Sequence, residues 1–403
     1  MRIVMTGATG MLGSELLIEI VKQHLDHLNK LQIFILGRPG NSTLLSRIKG
    51  LFESSGFDYL KSSDNNTIKQ IRNAIIPIDF DYSYDDTGLT EDSFNKLRKG
   101  KIDIFFHIGS LTDLRHDIAT QVRLENSNVN GTYRLLKILD RLDIVKLVYI
   151  STAYVCGSKT GIIYPNYVDL DQKFRNPYEK TKLKAEILIR EYAIRKKSKL
   201  YIFRPSLIAG RLLESPIGYT PKFEIFYSWI AWFLRQKYKY VNSVTDLFEE
   251  TIAMDIRIRV NKNSISNIVP VDYVAKILSV LTCEEFLDTD YHIANHEETL
   301  QVDCISWILE SIKITGVTLV ENEPKDKNIL ERLYYRSIGK ILTPYLVSGP
   351  MNFDTTNLKQ IEDRLGVTCP RIDQIQFKSL MDYAKTKRFG LDETMLSKST
   401  LLN

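Results

Sequence analysis

The sequence predicts an α/β fold: a doubly wound parallel sheet with a smaller mixed α/β lobe toward the C-terminus. Three observations lead there. The stretch TGATGMLG, residues 6–13, follows the apolar run Arg2, Ile3, Val4, Met5 and places glycine at every third position, Gly7, Gly10 and Gly13. Short apolar runs then alternate with helical periods through the first half of the chain, the pattern of a parallel sheet covered on both faces. Beyond Pro205 the alternation loosens.

Each element follows from its own pattern. A buried strand that ends in a glycine turn and enters a helix opens a dinucleotide-binding βαβ unit of Rossmann type. There the glycines permit the tight turn, the approach of a pyrophosphate to the helix N-terminus, and close packing of helix on sheet. Residues 11–28 read as that helix, with Leu12, Leu16, Leu17, Ile20 and Val21 on one stripe. Strand two is LQIFILG, residues 31–37; strand three is AIIPID, residues 74–79; strand four spans 102–108. A helix carrying Asn128, Asn130 and Leu135 leads to strand five at 145–151, and a long helix from 177 to about 195 precedes strand six at 200–204. The expected organisation is a nucleotide-binding domain over residues 1–210, rejoined by 263–290. A substrate lobe is expected from 211–262 and 291–403.

With 403 residues the chain can bury a large core, and 44% hydrophobic and 26% charged residues fit an ordinary globular protein. A net charge of +5 with no basic run interleaved with aromatics argues against nucleic acid as a partner. Cys156, Cys283, Cys304 and Cys369 lie far apart without a C-x-x-C pair, so reduced thiols in the cytoplasm are expected. The six histidines lack metal-ligand spacing, and no metal is expected; His107, ending strand four, reads as packed or next to the cofactor. No secretory leader and no membrane span are expected.

In NAD-binding units an acid at the end of strand two holds the ribose 2′-hydroxyl, whereas arginine suits a 2′-phosphate. Here the chain has Leu36, Gly37, Arg38, which points to NADPH. Arg47 reads either as a second phosphate clamp or as a solvated helix arginine. Asp79 is placed to accept from the adenine amino group, and turn capping is its alternative. Thr6, Gly7, Thr9, Gly10, Met11, Leu12 and Gly13 of the first turn, Phe80 beside Asp79, Gly109 and Ser110 after strand four, and Pro205 after strand six complete the expected cofactor contacts.

Hydride addition to a carbonyl needs a proton donor, and a tyrosine serves if its pKa, about 10 when free, is lowered. A lysine one helical turn away shares its face. An ammonium about 4 Å from a phenolate contributes up to about 4 kcal/mol at an effective dielectric near 20, roughly three pKa units before desolvation subtracts. The spacing Tyr-x-x-x-Lys occurs at Tyr133/Lys137, Tyr178/Lys182, Tyr192/Lys196 and Tyr383/Lys387, so spacing alone does not choose. Context does: only Tyr178/Lys182 opens the helix after strand five, and the other three pairs are expected on solvated faces. Ser151 and Thr152 stand at the C-terminal end of strand five, where ligands sit in such sheets, and Thr152 is the better third partner.

TGATGMLG, LGR at 36–38, HIGS at 107–110, NVNGT at 128–132, STAYV at 151–155, NPYEKTK at 176–182, RPS at 204–206 and VPVDYV at 269–274 together resemble the extended short-chain dehydrogenase/reductases. Within them the chain is most similar to the branch of fatty acyl-CoA reductases and thioester-reductase domains, over residues 1 to about 280. That resemblance implies hydride delivery from NADPH to an acyl thioester, through a hemithioacetal to an aldehyde, with a further step to alcohol open. It also implies that Thr152 and Tyr178 hold the carbonyl oxygen, that Tyr178 gives the proton, and that Lys182 binds the nicotinamide ribose and tunes Tyr178. Asn128 or Asn130 would order a relay water or the substrate, with capping or packing an equal alternative. The thioester would be acyl-CoA or a carrier-protein conjugate presented in trans. The alternatives are a ketone reductase or a nucleotide-sugar epimerase or dehydratase of the same superfamily; an apolar tunnel in the small lobe would favour the acyl reading, and an arginine-lined pocket the sugar reading. The aromatic stretch FEIFYSWIAWF, residues 223–233, is expected as core packing, with a tunnel lining or a membrane-surface contact as alternatives.

Overall fold

The computed structural model describes residues 1–85, 87–224, 226–241 and 243–397. Its frame is a parallel sheet of β1 (Arg2–Thr6), β2 (Gln32–Gly37), β3 (Ile75–Asp79), β4 (Ile102–His107), β5 (Ile144–Ile150), β6 (Lys199–Pro205) and β7 (Asp290–Ile293). In space the order is β7-β6-β5-β4-β1-β2-β3. β1 pairs with β2 on one side, Ile3 opposite Ile33, and with β4 on the other, Ile3 opposite Ile104. The strand order therefore reverses between β1 and β4, and in such sheets ligands bind outside the carboxyl ends at that switch point.

Continuous apolar strands follow from burial on both faces. Successive side chains alternate across the pleat: Ile3, Ile33, Ile35, Ile104, Phe106 and Val148 pack into one layer, whereas Val4, Phe34, Leu36, Phe105, Leu147 and Tyr149 pack into the other. Burying each such side chain contributes about 1.5–3 kcal/mol. The helix expected over 11–28 ends at Gln23; a 3₁₀ stretch, Leu25–Lys30, follows, in which His27 leaves helical geometry at φ −136°. β7 had no sequence expectation, and it extends the sheet by pairing with β6, Tyr291 opposite Phe203.

The region after Pro205 holds its own apolar cluster, which includes Tyr227, Trp229, Trp232, Met254, Ile256 and Tyr334. The aromatic stretch forms the helix Phe226–Lys237, and Tyr227, Trp229, Ile230, Trp232 and Phe233 are buried in that cluster, in line with core packing. Ile225 lies outside the described residues. Residues 211–262, in the region where the alternation loosens, contain a strand, Ile252–Arg259, that pairs in parallel with Ile314–Val320. Its residues alternate between apolar and polar, and Met254, Ile256 and Ile258 are the buried set.

Candidate functional site

The glycine turn forms the floor of the site. Gly7 has φ +74°, and a Cβ there would stand 2.6 Å from the amide nitrogen of Gly109; a Cβ on Gly13 would stand 2.1 Å from the Gly7 carbonyl oxygen. Only glycine fits either place. Helix Met11–Gln23 starts at Gly10 with no side chain capping it and no acid in its first turn. Its first amides therefore lack protein side-chain acceptors, and a helix start of this kind favours an anion.

A cavity of about 470 Å³ runs from this turn past the carboxyl ends of β1, β2, β4, β5 and β6 into the smaller lobe. Gly7, Thr9, Gly10, Met11, Leu12, Gly13, Arg38, Arg47, Phe80, Gly109, Ser110, Thr152, Tyr178, Lys182 and Pro205 all line it. Thr6 stands behind the wall: its Oγ1 accepts from the amides of Ile108 and Gly109, both at 3.2 Å, and bonds His107 Nδ1 at 2.8 Å, so it ties the end of β1 to β4. Asp79 is exposed and stands outside the wall, while the next residue, Phe80, turns into it. Asn128 is also behind the wall. Its Oδ1 accepts from Leu111 N at 2.8 Å and its Nδ2 donates to Leu111 O at 3.0 Å and to Thr181 Oγ1 at 3.3 Å, which fixes the loop carrying Ser110 and Thr112 against the helix that carries Tyr178.

That helix, Pro177–Lys196, has proline in its first turn and Asn176 as its N-cap, whose Oδ1 accepts from Glu179 N at 3.1 Å. It presents Tyr178 and Lys182 on one side of the cavity. Thr152, just past the end of β5, lines the same cavity; its Oγ1 accepts from Tyr154 N at 3.3 Å and donates to Pro205 O at 3.5 Å.

The electrostatics differ from the sequence expectation that Lys182 lowers Tyr178. Burial pushes the Tyr178 phenol up to about 12, against hydrogen bonds from the Thr112 and Ser110 side chains that favour its ionised form. Lys182 Nζ is turned to the Ile150 carbonyl at 2.6 Å, above the Tyr149 ring, and burial lowers it to about 7. His107, between Thr6 Oγ1 and Thr132 Oγ1, is held near 3 by burial and by Lys182, and is neutral.

The remaining Tyr-x-x-x-Lys pairs separate on exposure. Tyr133 is exposed with Lys137 over its ring, as a solvated face requires. Tyr192, also expected on a solvated face, is instead 4% exposed and packs into the layer beneath the sheet, since the helix that carries it is covered on that side. Tyr383 is half-buried against Tyr219.

Several wall residues carried no sequence expectation: Thr112, Tyr82 and Tyr154 near the turn and Tyr178, and Lys222, Glu224 and Tyr345 from the smaller lobe. Thr112 alone had a local signal, being two residues past Ser110. Farther in, the wall is Phe226, Trp229, Ile305, Ile308, Leu342 and Phe377. Among the described residues no helix is long and apolar enough to cross a membrane, and no cluster could hold a metal ion.

Comparison with known proteins agrees with this geometry. The family model described as Male sterility protein matches residues 5–278. Peramine synthetase A of Epichloe festucae (strain Fl1) is 24% identical over 53% of this chain and 7% of its own length, and fatty acyl-CoA reductase 8 of Arabidopsis thaliana is 25% identical over 40% of this chain and 32% of its own. The chain spans less than half the length of either. The crystal structure of the terminal R domain from the myxalamid PKS-NRPS biosynthetic pathway shares the fold, with a TM-score of 0.69 at 20% identity over 96% of this chain and 91% of that one. With the glycine turn, the seven-stranded sheet and the matched 5–278 segment in place, the chain belongs to the Male sterility protein family, extended short-chain dehydrogenase/reductases of the branch that holds fatty acyl-CoA reductases and thioester-reductase domains.

Proposed function

We propose that this chain is an NADPH-dependent reductase that converts an acyl thioester, carried by coenzyme A or by a carrier protein, to the aldehyde, the alcohol being the product of a second round. The observation that carries this reading is one cavity that joins the glycine turn to an apolar small-lobe wall, with Tyr178, Lys182 and Thr152 between them. No arginine from that lobe lines it among the described residues, which favours an acyl chain over a sugar diphosphate.

The residues suit a dinucleotide. The uncapped helix start and the glycine cradle supply room and amides for a pyrophosphate. Arg38 and Arg47 meet at the end of β2, where the Arg47 guanidinium donates to the Arg38 carbonyl, and the wall there carries no carboxylate. Two guanidinium groups at this edge support the 2′-phosphate of NADPH. Bound there, NADPH would supply the hydride.

Thr152 and Tyr178 hold the substrate carbonyl oxygen in this reading. A phenol held near 12 stays protonated at neutral pH, so Tyr178 acts as a donor to the forming alkoxide and not as a base. Lys182 binds the nicotinamide ribose hydroxyls in this reading. Addition of hydride and a proton to a thioester gives a hemithioacetal, and loss of the thiol leaves the aldehyde. Asn128 serves by fixing the Ser110–Thr112 loop. The four cysteines are free, three of them buried, which suits a reducing compartment such as the cytoplasm.

The test is consumption of NADPH by the purified protein with a panel of acyl-CoA and carrier-bound acyl thioesters, with NADH and Tyr178→Phe alongside. Aldehyde formed only with thioester, NADPH and Tyr178 present is the expected result. No turnover of any thioester in either form would overturn the reading.

A further inference from the structure

We infer that Tyr345, a residue of the smaller lobe, is a positioning residue that fixes Tyr178 through the first turn of the active-site helix; this rests on the reading of Tyr178 as proton donor. Tyr345 lies on the helix Ile338–Leu346, 166 residues after its partner Glu179, and its ring forms part of the cavity wall. Its hydroxyl donates to Glu179 Oε1 at 2.9 Å and accepts from Asn176 Nδ2 at 2.6 Å.

Those two partners flank Tyr178 by two residues on one side and one on the other. Asn176 Oδ1 accepts from Glu179 N at 3.1 Å, and Glu179 Oε2 accepts from Arg175 N at 2.9 Å. The peptide that carries Tyr178 is thereby enclosed by hydrogen bonds; Asn176 and Glu179 are tied to the smaller lobe through the Tyr345 hydroxyl, and Arg175 through Ser348 Oγ at 3.0 Å. Glu179 is 0% exposed and Asn176 5%, so neither can exchange this partner for water, and a buried group that loses its partner bears the full cost of desolvation. Glu179 also faces the Arg175 guanidinium at 3.5 Å, and the Tyr345 ring stands edge-on to Tyr154 and beneath Arg175.

The consequence is that the wall which receives the acyl group and the turn which aims the proton donor share one hydroxyl. A displacement of helix Ile338–Leu346 by the acyl chain is passed to residues 176–179 as a change in hydrogen bonding. Small misplacement of a reacting group costs rate without loss of binding.

Tyr345→Phe keeps the ring and removes only the hydroxyl. With tyrosines labelled at Cζ, the Tyr178 carbon resonance is identified among the 21 tyrosines by its loss in Tyr178→Phe. The expected result is a shifted Tyr178 resonance in Tyr345→Phe, with an unchanged dissociation constant for NADPH. With any thioester the wild type turns over, kcat falls on the order of tenfold while KM stays within about twofold. An unmoved Tyr178 resonance, or a fall in KM-limited rate with kcat intact, overturns the proposal. Absence of thioester turnover by the wild type counts against the reductase reading alone, since the resonance still judges the role of Tyr345. Should Tyr345→Phe fail to fold, Glu179→Gln, which keeps the size of the acceptor and weakens it, is expected to shift the same resonance, and no shift there is equally decisive.

Discussion

The sheet half and the smaller lobe were built by different kinds of information. In the sheet half the decisive features are local: a glycine turn next to its strand, apolar runs buried on both faces, a helix opened by Asn176 and Pro177. In the smaller lobe they are distant in sequence. Ile252–Arg259 finds Ile314–Val320, Ile265–Ser266 finds Thr299–Leu300, and Met351–Phe353 returns to Gly161–Ile163. What this teaches is a division of labour: local patterns specify where the nucleotide and the proton donor sit, and non-local packing specifies what the cavity admits.

The largest expected effect lies where the halves meet. Tyr178→Phe removes the donor and is expected to lower kcat by about 10²–10⁴-fold, with NADPH binding retained in a fluorescence titration. Retention of near wild-type turnover would break the assignment. Next, Gly7→Ala forces a Cβ into the Gly109 backbone at φ +74°, and strain with overpacking is expected to cost about 1–3 kcal/mol each. Melting temperature and NADPH affinity should fall together; a variant that binds as well as the wild type would show that the turn is looser than its geometry.

How much of the site was legible follows the same division. Tyr178 and Lys182 could be chosen from four identically spaced pairs because their helix follows β5, and both reach the cavity wall. Asp79 and Phe80 illustrate a limit: adjacent side chains at a strand end point to opposite sides, and it is Phe80 that turns inward. For Asn128 the resemblance implies a relay or substrate-positioning role, with packing an equal alternative, and its amide bonds Leu111 and Thr181. The alternation in Ile252–Arg259 is present in the sequence although residues 211–262 read as poorly patterned, and its partner strand, Ile314–Val320, could not be read from it. Burial depth was illegible too, and it reversed the expected electrostatics of Tyr178 and Lys182.

That reversal gives a pH test. The folded-state pKa of Lys182 is lowered from 10.5 to about 7, so between those values the unfolded chain binds more protons than the folded one. Stability is therefore expected to rise with pH across this window, on the order of a few kcal/mol, as the penalty of a buried ammonium is removed. Thermal unfolding of wild type and Lys182→Met from pH 7 to 10.5 checks it, because the methionine variant should lack that share of the rise. Parallel curves would mean that Lys182 keeps its charge in the fold.

Two smaller effects sharpen the comparison, because each should alter one region's task and leave the other's untouched. Arg38→Ala is expected to weaken NADPH by about 1.5–3 kcal/mol, the range for a hydrogen bond to a charged group, without changing NADH affinity or acyl preference. Equal losses for both nucleotides would remove the phosphate role. Leu342, 8% exposed in the small-lobe wall, is the converse case. Leu342→Phe adds volume at the far end of the cavity, where one methylene of misfit costs about 1–3 kcal/mol. KM for the longest acyl thioester accepted should rise on the order of tenfold, while the shortest acyl groups and NADPH are bound as before. A uniform change across chain lengths would mean that the acyl group does not reach Leu342. A change in nucleotide affinity would mean that the two regions are mechanically one.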